Sequence, residues 1–252
     1  MTRVNDNITC DAFLGGALDI LQPKNGYRAA TDPVFLAASI PASAGQSVLE
    51  LGCGVGVALL CLGKRISGLE ISGLEIQEEY AELARQNAHA NSIEAKIFSG
   101  DLMQMPRDLL EQNFDHVMFN PPFYDAKKVS APENAGKSQA HVMDLKLEDW
   151  VFAGLKPLKP KGRLTFIHRA EILPQALGYL EKIAGDIVVK PLTSRQDKPA
   201  KRVIVSCRKG TNGPFALRPP LVVHESSAHN KDVGGYSAIA QAVLRDAQAL
   251  YL

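Results

Sequence analysis

The stretch Val48-Leu49-Glu50-Leu51-Gly52-Cys53-Gly54-Val55-Gly56 constrains the fold more than any other part of the chain. An apolar strand runs into a glycine-rich turn and then, without a linker, into a run of helical character over 57–65. That is the opening unit of an alternating strand–helix fold. The alternation continues. Apolar spacing predicts strands over 47–51, 73–76, 93–98, 114–119, 163–168, 187–192 and 202–207, and helices over 77–90, 147–158, 172–183 and 236–251. The expected architecture is α/β, a doubly wound and mostly parallel sheet of seven strands.

Ahead of this unit the pattern reads as a small β-rich extension: strand over 17–22, a turn at Pro23-Lys24-Asn25-Gly26, and strand over 27–30. Thr31 or Asp32 then caps a short helix with Pro33 in its first turn. We therefore divide the chain into an extension over 1–45 that covers the ligand pocket and a main domain over 46–252.

With 252 residues, 46% hydrophobic and 22% charged, the chain suits one α/β domain with a small appendage. No apolar run reaches the roughly 18 residues of a membrane span, and residues 1–11 lack the basic start and apolar stretch of a secretion signal. Cysteines stand at 10, 53, 61 and 207 with no C-x-x-C pair, so no metal site is expected. Free cysteines suit a reducing compartment, and a cytoplasmic protein is expected. Net charge is only +1, but residues 124–210 hold 17 Lys/Arg against 9 Asp/Glu. That asymmetry points to a polyanionic partner or to an unevenly charged solvated surface.

In doubly wound sheets ligands bind beyond the carboxyl ends of the strands. Gly52, Gly54 and Gly56 remove Cβ atoms where a ligand must approach the backbone. An acid about 20 residues further on is placed to accept hydrogen bonds from ribose hydroxyls. Two candidates exist, because Ile66-Ser-Gly-Leu-Glu70 is repeated as Ile71-Ser-Gly-Leu-Glu75. Glu75 directly precedes the long helix and is the better placed; Ile76 then packs on a base. Asp101 and Leu102 end the next strand, where a carboxylate and an amide can face an adenine edge or simply cap a helix. The Glu50-Leu-Gly-x-Gly-x-Gly order resembles the first motif of class I methyltransferases. The resemblance implies S-adenosyl-L-methionine as cofactor, with Glu50 beneath its methionine end and the glycine backbone over its sugar.

The most specific stretch is Asn120-Pro121-Pro122-Phe123, at the end of the apolar run over 114–119. Two prolines fix φ and remove N–H donors, so a rigid backbone presents carbonyls. The Asn120 side-chain oxygen and the Pro121 carbonyl offer two acceptors for the two hydrogens of one planar NH2 group. Such hydrogen bonds direct the nitrogen lone pair and orient it for displacement. Phe123, or Tyr124 after it, supplies a face for a flat acceptor. The motif resembles that of amino-group methyltransferases, which act on adenine N6, guanine N2 or a glutamine amide.

Further segments extend the likeness. Gly26-Tyr27-Arg28-Ala-Ala-Thr31-Asp32, Asn120-Pro-Pro-Phe-Tyr124, Arg195-Gln-Asp-Lys-Pro-Ala-Lys-Arg202 and Tyr236-Ser237, in that order, resemble the bacterial tRNA1(Val) adenine-37 N6-methyltransferase family over nearly the whole chain. The resemblance implies that Arg28, Thr31 and Asp32 help to close the cofactor pocket and that the acceptor is an adenine of tRNA. Arg195, Lys198, Lys201 and Arg202, with Lys127 and Lys128 in the polar stretch over 124–141, are candidates for phosphate contacts. Protein-glutamine methylation, rRNA guanine-N2 methylation, a nicotinamide-dependent oxidoreductase and a non-catalytic RNA-binding module stand as alternatives.

Overall fold

The computed structural model describes residues 7–26, 28–122, 145–225 and 235–252. The elements, in chain order, are strand β1 (Ile8–Phe13), β2 (Leu18–Pro23), helix α1 (Asp32–Ala38), β3 (Ser47–Leu51), α2 (Val57–Arg65), β4 (Glu70–Glu75), α3 (Glu78–Ala90), β5 (Ala95–Ser99), α4 (Arg107–Leu110) and β6 (Phe114–Phe119). Then follow α5 (Leu147–Leu155), β7 (Leu158–Arg169), α6 (Leu173–Leu180), β8 (Ala184–Thr193), β9 (Arg202–Lys209), the two-residue strands β10 (Ala216–Leu217) and β11 (Leu221–Val222), and α7 (Ala238–Asp246).

Seven long strands form the sheet in the order β8-β9-β7-β6-β3-β4-β5, with β10 and β11 added on the outer side of β8. All pairings are parallel except those of β9, which runs antiparallel to both β7 and β8. The expected seven strands are thus present, extended by two short edge pieces.

Both faces of the sheet are covered, which explains why its strands read as unbroken apolar runs. Along β3, Val48 belongs to one core with α1, α2, α3 and α7, while Leu49 and Leu51 belong to the other with α4, α5 and α6. The alternation recurs in β6, where Met118 faces the first core and Val117 and Phe119 the second.

The N-terminal hairpin departs from the sequence expectation. β1 pairs with β2 from Ile8↔Pro23 to Phe13↔Leu18, so the turn lies at Leu14-Gly15-Gly16, all with positive φ, and residues 28–30 are not strand. The Asn25-Gly26 signal marks the exit from the hairpin instead. The segment also shares the first core rather than forming one of its own, through Leu14, Leu18, Ile20 and the whole apolar face of α1.

Candidate functional site

A cleft opens at the carboxyl ends of β3, β4, β5 and β6, on the side where each parallel strand passes into the following loop. Glu50, Gly52, Gly54, Glu75, Ile76, Asp101, Leu102 and Asn120 all line it. They come from strand ends far apart in sequence and meet because β6, β3, β4 and β5 are neighbours in the sheet.

Glu50 and Glu75 are only 3% and 5% exposed. Glu50 Oε2 accepts a hydrogen bond from the Leu59 amide at 2.9 Å, inside α2. Burial pushes its carboxyl well above the ordinary range; the Leu59 amide opposes this and the charge of Glu75 adds to it. Glu75 accepts from the Gly54 amide at 2.9 Å on Oε2 and from the Gln77 amide at 2.9 Å on Oε1. Burial raises its carboxyl as well, against these backbone donors. Glu70 stands exposed at the opposite end of β4, paired in register with Ser47. Of the two copies of Ser-Gly-Leu-Glu, only the second brings its acid to the cleft.

The glycine turn is shaped by its neighbours. Gly52 has φ of +63°, and a Cβ there would lie 2.7 Å from Cη2 of Trp150. Gly54, at φ +55°, would direct a Cβ into open space. Gly56 is the residue before α2, in the left-handed region, and does not line the cleft. Asp101 accepts a hydrogen bond from the Met103 amide at 2.8 Å, so one side chain both caps a turn and borders the cleft.

Asn120, Pro121 and Pro122 follow directly on β6. Asn120 and Pro122 line the cleft. Phe123, Tyr124, Lys127 and Lys128 lie outside the described residues.

Three residues assigned to the cofactor by resemblance lie off the cleft lining. The Arg28 guanidinium bonds Asp11 at 2.6 Å and Thr9 at 2.8 Å, on the hairpin. Asp32 Oδ2 accepts from Arg202 Nε at 2.8 Å, and the Thr31 side chain makes no capping bond to α1. Their neighbours Ala29 and Pro33 do line the cleft. The segment thus reaches the site through small apolar side chains, while its charged ones are occupied elsewhere.

Other contributors were not foreseen from sequence. Trp150, 3% exposed, lines the cleft from α5 and stands 5.7 Å from Phe119, which itself stacks on Phe166 at 4.9 Å. Trp150 therefore touches both the glycine turn and the strand that leads into Asn120. It is the only tryptophan in the chain, the one available hint. Asn87, fully buried on α3, donates to the Val55 carbonyl at 2.9 Å and the Leu21 carbonyl at 3.1 Å and accepts from the Leu21 amide at 2.8 Å. An asparagine on the inward face of a predicted helix signals such a tie, because a buried amide needs partners.

The basic candidates lie at the same end of the sheet. Arg195, Lys198 and Lys201 belong to the loop between β8 and β9, and Lys198 and Lys201 are exposed. Because β8 runs parallel to β7 and β6, this loop shares the edge onto which Asn120 emerges. Among the described residues no group of His, Cys, Asp and Glu is arranged to hold a metal ion, and no helix is long and apolar enough to cross a membrane. All four cysteines are free.

Comparison with known proteins bears on this geometry. The family model for the methyltransferase small domain matches residues 30–183. A relative from Porphyromonas gingivalis named tRNA1(Val) (adenine(37)-N6)-methyltransferase is 34% identical over 169 residues, covering 62% of this chain and 64% of its own. The chain thus spans a little under two thirds of that relative's length. A protein of the same name from Trichodesmium erythraeum is 26% identical over 204 residues, covering 75% of this chain and 81% of its own. Among solved structures, a predicted O-methyltransferase from Agrobacterium tumefaciens superposes with a TM-score of 0.70 at 21% identity, covering 88% of this chain and 99% of the other. At that identity the likeness establishes a shared fold.

Proposed function

This chain belongs to the methyltransferase small domain family, and on that premise we propose that it transfers a methyl group from S-adenosyl-L-methionine to N6 of an adenine in tRNA, with adenine 37 of tRNA1(Val) as the acceptor. The observation that carries the reading is the emergence of Asn120-Pro121-Pro122 from β6 into the same cleft as Glu75 and the glycine turn. The names of the relatives from Porphyromonas and Trichodesmium support the acceptor.

The residues present fit the cofactor. Glu75 accepts from the Gly54 and Gln77 amides on separate oxygens, with the Ile76 amide and the Gln77 side chain also acting on it; an acceptor-only carboxylate at this position suits the donor hydroxyls of a ribose. Ile76 and Leu102 offer apolar walls for a base, with Asp101 at its edge. Glu50 and Glu75, buried with raised carboxyl pKa values, are groups that a nearby positive charge drives to the ionised form. When bound, S-adenosyl-L-methionine supplies an electrophilic methyl group on a cationic sulfur.

The acceptor side rests on this chain's own groups. The Asn120 side-chain oxygen and the Pro121 carbonyl accept the two hydrogens of the exocyclic amino group. That withdraws its lone pair from conjugation with the ring and aims it into the cleft. Phe123 or Tyr124 supplies the stacking face. The adenine leaves its loop stack to enter, as nucleic-acid enzymes acting on a base require. Exposed Lys198 and Lys201, with Arg195, and with Lys127 and Lys128 of the stretch after the motif, contact phosphates. The four free cysteines suit action in the cytoplasm.

Isothermal calorimetry with S-adenosyl-L-methionine and with NAD tests the cofactor, and transfer of labelled methyl to tRNA or to protein tests the acceptor class. Binding of NAD alone, or label entering protein and not tRNA, overturns the reading.

A further inference from the structure

The end of the sheet opposite the cleft holds a second cavity, of about 480 Å³. Helix α2 ends there; Arg163 of β7, Val188 of β8 and Ser206 of β9 line it on one side, and the segments 38–42 and 249–252 on the other. Three arginines line it from separate elements: Arg65 at the end of α2, Arg163 on β7 and Arg218 just beyond β10.

The guanidinium groups of Arg65 and Arg163 are oriented by neutral oxygens. Arg65 Nη2 donates to the carbonyls of Ala37 at 3.0 Å and Ile40 at 2.5 Å, while its buried Nε meets no acceptor among the described residues. Arg163 Nη1 donates to Ser206 Oγ at 3.1 Å, and Ser206 shares a hydrogen bond of 3.0 Å with buried Thr165. The Arg218 amide is fixed to the Val189 carbonyl at 2.8 Å, and its side chain is exposed. None of the three forms an ion pair with a described carboxylate, in contrast to Arg28, Arg85, Arg107, Arg169 and Arg202.

Burial and then the charge of Arg208 lower Arg163, with Asp186 offsetting part of this, and burial and then Arg218 lower Lys190. Burial likewise lowers Arg65, and Tyr251, which also lines the cavity, offsets part of this. Arg65 and Arg163, partly buried and without an ion pair to a described carboxylate, carry a desolvation cost that an anion joining them would offset. Their planar forks match a tetrahedral oxyanion with two-pronged hydrogen bonds. Three positive charges are also better balanced by a dianion than by one carboxylate.

We propose that this cavity is a phosphate-binding site, separate from the cleft, that takes a phosphate dianion held by Arg65, Arg163 and Arg218 with the Ser206 hydroxyl on one side. The dianion is free phosphate or a small phosphomonoester, or else the terminal phosphate of an RNA. The site does not depend on the methyl-transfer reading.

The test is thermal unfolding of the full chain with inorganic phosphate against sodium chloride at matched ionic strength, since a ligand of the folded state raises the midpoint in a saturable way. Arg218→Gln, at an exposed position, serves as the variant that keeps the fold, and Arg163→Gln as the stronger one. Phosphate is expected to raise the midpoint where chloride does not. Each variant should weaken the apparent phosphate affinity by about tenfold or more, the usual scale for a hydrogen bond to a charged group, with S-adenosyl-L-methionine binding unchanged. Displacement of phosphate by 5′-phosphorylated RNA, but not by the same RNA after dephosphorylation, assigns an RNA terminus; displacement by neither assigns a small phosphate. Three results overturn the proposal: no phosphate-specific shift, the same shift in Arg218→Gln, or equal displacement by both RNAs.

Discussion

Glu75 Oε2 accepts a hydrogen bond from the Gly54 amide, and Oε1 one from the Gln77 amide, both at 2.9 Å. One carboxylate at the end of β4 thus fixes the turn after β3 and the entry to α3. In Glu75→Gln an NH2 group must face one of those two amides, donor to donor. A buried donor left without an acceptor costs about 1–3 kcal/mol. The variant is expected to unfold at lower temperature and to bind S-adenosyl-L-methionine on the order of tenfold more weakly by calorimetry. Unaltered affinity would contradict the role given to Glu75.

Glu50 gives a pH signature. Its folded carboxyl holds a proton more tightly than the unfolded chain's, because burial raises its pKa well above 4.5. The stability it contributes is fully present below the unfolded pKa and is lost as pH rises through the folded one. At neutral and alkaline pH the buried charge is therefore a net cost. Glu50→Gln keeps an acceptor for the Leu59 amide and removes the charge. Its melting midpoint should exceed that of the parent at pH 8, by roughly 2–4 °C for each kcal/mol relieved at this chain length. The gap should close as pH falls toward 4.5. A gain that does not vary with pH sinks this account.

Gly52→Ala tests the packing of the glycine turn on Trp150. A side chain at φ +63° is strained by about 1–2 kcal/mol, and its Cβ would meet Trp150 Cη2 at 2.7 Å. Since that indole also abuts Phe119, the strain passes toward the strand that carries Asn120. We expect lower stability, weaker cofactor binding and a change in fluorescence from the single tryptophan. Parent-like values in all three would show that the turn has room to adjust.

The basic residues near β9 divide into two kinds. Replacing exposed Lys198 and Lys201 by alanine should weaken tRNA binding and flatten its dependence on salt, by roughly 0.7–0.9 in log–log slope for each phosphate no longer neutralised. Arg202 differs, because its ion pair with Asp32 ties β9 to the start of α1. Arg202→Ala is expected to cost about 1 kcal/mol in unfolding stability, at the upper end for a partly exposed pair. Fluorescence titrations across a salt series distinguish the two; equal salt slopes for parent and double-lysine variant would remove the lysines from the interface.

Much of this was legible in sequence where one local signal dominated. α2 (Val57–Arg65) and β6 (Phe114–Phe119) were delimited to the residue, because glycines or prolines punctuate an apolar run. Elsewhere local chemistry misled. β7 begins at Leu158, well before the expected 163, because the strand runs on through Pro160-Lys161-Gly162, with Lys161 at φ 61° and a register shift opposite Phe114 and His116. The last helix stops at Asp246, where Ala247 adopts φ 53° without a glycine or proline to announce it. Trp150 enters the site through packing between distant elements, which no spacing rule encodes, and Asn87 shows in sequence only as a polar residue on the inward face of α3. The ion pair of Asp32 with Arg202 spans 170 positions and was equally invisible.

The central claim is methyl transfer to an adenine amino group held by Asn120, and mass spectrometry of nucleosides from tRNA incubated with protein and S-adenosyl-L-methionine tests it most directly. The account predicts N6-methyladenosine with the parent chain. With Asn120→Ala the yield should fall on the order of 10²-fold, the scale for losing one preorganised hydrogen bond at a reacting group, while calorimetric affinity for the cofactor is retained. Methylated guanine in place of adenine, or undiminished N6-methyladenosine from Asn120→Ala, would contradict it.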